Sequence, residues 1–234
     1  MAVSYNPKIV TDALQVHFDP ANVKSYTSDV DSTTLRSIVS STTGTLYNSV
    51  TFDSSDNSFD FDGVNDYIET NYGATSGTQP YSIAIWIYKQ STGAWTDLTY
   101  NGRIIASGQY GGSIGLLRVS STTVRMRVRG STSGIRNADV AISAQQWTHI
   151  VGTWNGSNTL QIYKNGVLAD ENTSATIVGG LDGDGFIIGG AGGFSGAQGT
   201  YFAEKLSMMS IYTRVLNASE IKQNFNATRS RFGV

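Results

Sequence analysis

Leu160-Gln161-Ile162-Tyr163-Lys164-Asn165-Gly166-Val167-Leu168-Ala169 sets two short runs of strand-forming residues on either side of an Asn-Gly pair. Asn and Gly tolerate the two positive φ angles of a type I′ turn, whose twist matches that of paired antiparallel strands. The stretch therefore reads as a β-hairpin. Just before it, Trp147 to Trp154 ("WTHIVGTW") carries large apolar residues on both faces, as does Ser82 to Tyr88 ("SIAIWIY"). Such runs suit strands that sit centrally or beneath covering loops, so they form the heart of a core.

Outward from this hairpin the same texture continues. Apolar runs of four to eight residues alternate with Gly, Ser and Asn clusters, the pattern of a many-stranded antiparallel sandwich. Strands are expected at 14–18, 58–61, 67–69, 82–88, 103–107, 113–119, 123–128, 147–154, 159–164, 167–171, 186–188 and 206–212. The chain is all-β apart from one short carboxy-terminal helix. There Asn217 stands three residues before Glu220 in a capping box, and Ile221 and Phe225 fall on one helical face. The stretch 179–200 has ten Gly in 22 residues and is expected to form loops at one rim around the short strand 186–188.

At 234 residues the chain suits one undivided domain over 1–234. It contains no Cys, which excludes a disulfide framework, a thiolate zinc site and a Cys nucleophile. The formal charge of −2 offers no general attraction to nucleic acid or to an anionic membrane, and neither is expected as a partner. That small total hides a polarity: six acids and no base lie between Thr51 and Thr70, six Arg and no acid between Arg103 and Arg136. The start "MAVSYNPKIV" lacks the basic and apolar regions of a signal peptide, so synthesis in a cytoplasm is expected.

Five stretches, taken in order, resemble the laminin G-like branch of the concanavalin A-like lectin and glucanase superfamily. They are "ALQVHFDPANVKSY", "SFDFDGVNDYIE", "PYSIAIWIY", "WTHIVGTWNGSNTLQIYKNGVLA" and "LSMMSIYTRVLNASEIKQNF". The resemblance implies a concanavalin A-like jelly-roll sandwich of two antiparallel sheets, with the first and last strands close together. "ANVKSY" and "NFNATRSRFGV" further resemble versions of this domain in virion structural proteins of tailed bacteriophages.

Four Asp and one Glu stand among aromatic residues in Ser58 to Thr70 ("SFDFDGVNDYIET"). The two-residue period of a strand sends Phe59 and Phe61 inward and Asp60 and Asp62 outward. Gly63 to Asp66 is then a turn, where Asp and Asn side chains bond nearby backbone. The functional alternative is a calcium ion held by Asp62, Asn65 and Asp66, since hard cations gather oxygen ligands. Otherwise no metal or cofactor is expected. Glycosidases of this superfamily resemble one another in a Glu-x-Asp-x-x-Glu strand, and none of Glu69, Glu171, Glu204 and Glu220 begins that pattern. An exposed strand face would also leave neither Asp60 nor Asp62 desolvated enough for acid duty. His17 and His149 sit among apolar neighbours and read as packed histidines. No catalytic residue is assigned. "GGFSGAQG" resembles the calcium loop of pentraxins at Gln198, but the acidic positions around Phe194 are replaced by apolar residues and Ser195, and "LDGDG" (Asp182, Asp184) reads equally as an Asp-Gly turn.

Val124 to Arg129 alternates strictly, burying Val124, Met126 and Val128 and aligning Arg125, Arg127 and Arg129 on the opposite face. That row is either a solvated outer face or a surface for carboxylate or phosphate groups of a partner. Trp95, Tyr100, Asn101 and Tyr110 lie in loops whose aromatic rings and amides suit a sugar ring, or simply cover the sheet. The expectation is a non-enzymatic virion-surface protein of a tailed phage, a capsid decoration or tail or fibre component that touches host surface glycans. Its partners would be other virion proteins, copies of itself and a bacterial surface glycan. A free-standing lectin module is the alternative, and a glycoside hydrolase comes third.

Overall fold

The computed structural model describes residues 8–28, 31–74, 78–90, 102–107, 113–120, 122–130, 134–174, 181, 185–190 and 201–234. In chain order their strands are β1 Leu14–Phe18, β2 Thr34–Arg36, β3 Thr43–Tyr47, β4 Thr51–Asp53, β5 Ser58–Asp60, β6 Tyr67–Gly73, β7 Tyr81–Tyr88 and β8 Gly102–Ser107. Then follow β9 Ser113–Arg118, β10 Thr123–Arg129, β11 Ile135–Ala141, β12 Trp147–Trp154, β13 Leu160–Lys164, β14 Val167–Asn172, β15 Gly185–Ile188 and β16 Lys205–Tyr212. Helix α1 spans Ala218–Thr228 and runs into a 3-10 turn at Arg229–Phe232.

The strands form two antiparallel sheets. The first has the order β14-β13-β12-β7-β16-β5-β4, with β1 also pairing β16. The second runs β11-β10-β9-β8-β15-β6-β3-β2. Between them lies one apolar core to which alternate residues of both sheets contribute, among them Phe59, Phe61, Ile85, Ile150 and Trp154 from the first, and Ile68, Leu116, Met126 and Phe186 from the second. This is the concanavalin A-like jelly roll that the alternation and the resemblance lead one to expect. Gly152 marks how closely the sheets approach, since a Cβ there would lie 2.4 Å from the Met126 sulfur.

The Asn-Gly hairpin forms as the sequence dictates, with Asn165 at φ 51° and Gly166 at φ 79°. It does more than turn the chain. The Asn165 side-chain oxygen accepts from the His149 amide at 2.9 Å, and Gly166 leaves room for Phe225 of α1, whose Cβ would lie 3.3 Å from an added methyl. The outer face of the first sheet is thus covered by the helix. That cover explains why every residue of β12, and all but the last of β7, is buried on both faces. Trp86 stacks on Phe232 at 4.1 Å between ring centres and on Phe225 at 5.9 Å, and its indole N–H donates to Thr228 at 3.0 Å. The capping box is complete, with the Glu220 amide donating to Asn217 at 3.0 Å and the Asn217 amide donating back to Glu220 at 2.9 Å. Pairing of β1 with β16 brings the two ends of the described chain together, and Asn224 fastens them by accepting from the Val10 amide at 2.7 Å.

Candidate functional site

The strand β5 and the turn after it behave as their periodicity requires up to a point. Phe59 and Phe61 are buried, Asp60 is half-buried and Asp62 is exposed. Asp62 closes the turn, its Oδ1 accepting from the amides of Val64 at 2.7 Å and Asn65 at 3.2 Å. Asp66 bonds nearby backbone as a turn residue should, but it is also buried, which the turn reading does not address. It is only 3% exposed. Its Oδ2 accepts from the Asp62 amide at 3.1 Å, whereas its Oδ1 is buried with no partner. Burial holds its pKa above the usual carboxylate range, opposed by the Asp62 amide and reinforced by the charges of Asp62 and Asp60.

Asp60, Asp62 and Asp66 share a cleft of about 360 Å³ with Asn48, Ser49, Thr51 and Phe61. That volume sits at the low end of the roughly 300–1,000 Å³ of small-molecule sites. Two elements build it: the turn after β3, with Asn48 at φ 60° and Ser49 at φ 80°, and the turn between β5 and β6. The Asn48 side-chain amide ties them by donating to the Asn65 carbonyl at 2.8 Å. Gln90 reaches Asp60 from the end of β7, donating at 2.7 Å. Immediately beside the cleft, β3 and β6 pair so that Tyr47 faces Tyr67, and their rings stack at 4.6 Å with 12° between planes. Tyr47 is 37% exposed. Burial, with Tyr47, Glu69 and Tyr201 nearby, raises the pKa of the Tyr67 hydroxyl, so Tyr67 presents a neutral phenol at physiological pH.

The basic strand lies elsewhere, on the outer face of the second sheet. Arg125 makes a bidentate pair with Asp139 of β11, 2.6 Å for each contact, and Arg127 donates to Asn137 at 3.1 Å. Burial, then the flanking charges of Arg125 and Arg129, pushes the Arg127 pKa down to about 10. Arg129 is exposed. For calcium, Asp62 and Asp66 stand as described and Asn65 gives its carbonyl to Asn48. Among the described residues no group of three or more His, Cys, Asp or Glu side chains converges closely enough to hold one ion. His17 and His149 are buried beneath α1, as packed histidines would be. Trp95, Tyr100, Asn101 and Tyr110 lie outside the described residues, as do Asp182, Asp184 and Gln198.

A laminin G family model of the concanavalin A-like lectin/glucanases superfamily matches residues 62–222. The chain belongs to that superfamily. No curated protein matches it in sequence. Among solved structures, the binding domain of Paraclostridial mosquitocidal protein 1 superposes with a TM-score of 0.72 at 15% identity, covering 92% of this chain and 52% of that one. The receptor binding domain of botulinum neurotoxin D gives 0.68 at 14% identity, covering 93% of this chain and 53% of that one. A Trypanosoma rangeli sialidase in complex with the inhibitor DANA gives 0.65 at 14% identity, covering 95% and 35%. At such identities the likeness shows the fold alone. The chain spans about half the length of the two binding domains. Within this lectin-like fold, the residues that sequence reasoning missed are Tyr47, Asn48, Ser49, Thr51 and Tyr67. The signal that could have found them is register, because Tyr47 and Tyr67 meet only once β3 is recognised as a strand and aligned with β6.

Proposed function

We propose that this chain is a non-enzymatic glycan-binding protein displayed on the surface of a tailed-phage particle, and that the cleft between the β3 and β5 turns holds the sugar. One observation carries the binding reading: Asp66, whose Oδ1 is buried without a donor, lines a cleft whose residues Asn48 and Asp66 adjoin, along the chain, the stacked pair Tyr47 and Tyr67. A sugar hydroxyl supplies the missing donor while its C–H face packs on an aromatic ring. The neighbouring Asn48 amide, the Ser49 and Thr51 hydroxyls and Asp60 offer further directed partners. That two similar structures are toxin binding domains fits the same reading.

Against hydrolysis stands the use already made of the carboxylates. Asp62 is spent on its turn, and Asp60 is hydrogen-bonded to Gln90. The virion role rests on the resemblance of both ends of the chain to tailed-phage structural proteins, either as a capsid decoration or as a tail or fibre component, with other virion proteins or copies of itself as partners. The Arg125, Arg127 and Arg129 row, half satisfied within its own sheet, remains the proposed contact face for an acidic neighbour in such an assembly.

Binding to an immobilised glycan panel tests the first part. Wild type should retain specific glycans and Tyr67→Ala together with Asp66→Asn should not; equal retention by the variants overturns the site. Sedimentation of purified particles tests the second part. A fixed copy number per particle supports virion display, and absence from particles leaves a free-standing lectin. Release of reducing sugar that is lost in Asp66→Asn would replace both readings with a hydrolase.

A further inference from the structure

Resting on the glycan reading of the cleft, we infer a charge class for its ligand: uncharged or amine-bearing sugar ends are taken, amine-bearing ones best, and ends carrying a carboxylate are excluded. Three aspartates line the cleft, and among the described residues no cationic side chain forms an ion pair with Asp60, Asp62 or Asp66. The lysine beside them, Lys205, pairs in register with Asp60 through the backbone but sends its ammonium to Asp53 at 2.5 Å and Asp56 at 3.1 Å. Glu69, exposed beside Tyr67, adds to the same sign.

The arginine row does not offset this. It stands on β10, four strand positions from β6 in the second sheet. At about 4.8 Å per strand that is roughly 19 Å, well beyond the Debye length of about 8 Å at physiological salt. The field in the cleft is therefore set by nearer charges, its own acids foremost, with Lys205 matched by Asp53 and Asp56.

Asp66 turns that field into selection. It lines the cleft with its Oδ1 buried and unpartnered, so a small local opening that admits a ligand donor to it gains a hydrogen bond, whereas a second acceptor gains nothing. A hydroxyl or an acetamido N–H satisfies it. A protonated amine satisfies it and also neutralises charge, whereas a sialic or uronic carboxylate would add a further like charge to a partly desolvated acidic site.

Calorimetric titration with three oligomer sets decides it: N-acetylglucosamine oligomers, the same oligomers de-N-acetylated to free amines, and galacturonate oligomers. The free amines should bind about tenfold or more tighter than the galacturonates, and their affinity should fall from low to physiological ionic strength while that of the neutral set holds. Asp60→Asn, at a half-exposed site whose side chain bonds the Gln90 amide among the described residues, should narrow the gap without unfolding the protein. Galacturonates bound as tightly as the amines would overturn the charge class and leave glycan binding standing. No binding by any of the three sets would overturn both.

Discussion

Acid should weaken this fold through one histidine before it reaches most carboxylates. His149 sits on β12 beneath α1, its ring 5.1 Å from Trp86 and 6.1 Å from Phe225, and its Nδ1 is buried without a partner. The cavity it lines is about 20 Å³, room for about one water. Burial alone lowers its pKa from 6.5 to about 3. The folded state thus keeps the ring neutral where the unfolded chain takes up a proton. The associated stability is complete above 6.5 and is lost as pH falls from 6.5 towards 3. The slope approaches about 1.4 kcal/mol per pH unit, so two units below 6.5 the loss is on the order of 3 kcal/mol. His17, lowered chiefly by burial in the same cavity, shifts stability in the same direction. Asp53 and Glu220, whose ion-pair and hydrogen-bond partners hold their pKa values low, contribute only once pH falls through the ordinary carboxylate range. Urea unfolding followed by tryptophan fluorescence, near neutrality and two units below 6.5, should therefore show a large loss in wild type and a clearly smaller one in His149→Gln. Equal losses in the two proteins would refute the reasoning.

Other outcomes follow from packing. Trp86→Ala removes the ring on which Phe225 and Phe232 stack and should cost about 3–5 kcal/mol, read as a lowered urea midpoint. Gly185→Ala would place a Cβ 1.9 Å from the Thr70 carbonyl oxygen, forcing β15 from β6; a destabilisation of about 2–3 kcal/mol is expected in the same assay. Asp66→Asn removes a buried charge repelled by Asp60 and Asp62 while its amide oxygen can still accept from the Asp62 amide. The unliganded variant should be as stable as wild type or about 1 kcal/mol more stable by thermal melting, yet weaker in glycan binding.

The fold was legible where side-chain period and local chemistry coincide. The Asn165-Gly166 turn, the alternation of β10 and the Asn217 capping box each follow from a few adjacent residues, and each forms as read. Four strands were not legible. β2, β3 and β4 are short pieces of a Ser- and Thr-rich region, and β11 ("IRNADVA") has too few apolar residues to declare a face. Their pairing with stronger neighbours, not their own propensity, makes them strands. The site suffered from the same gap. Asp60 and Asp62 were placed on the right face, but burial of Asp66 is set by distant chain: Gly190 lies so close that a Cβ on it would fall 3.1 Å from the Asp66 carbonyl oxygen and 2.6 Å from the Tyr201 ring. A turn read alone cannot reveal what packs over it. The tyrosine platform was hidden for a simpler reason, since one of its two rings stands on a strand the sequence did not announce.

The most direct test is to titrate an isotopically labelled sample with a glycan that the protein retains and to follow backbone amide shifts. Binding in the cleft predicts that Asn48, Asp60, Asp66 and Tyr67 move together and saturate at one dissociation constant. Saturable shifts confined to Arg125, Arg127 and Arg129, or to residues near Trp95 in the sequence, with the cleft amides unmoved, would contradict it.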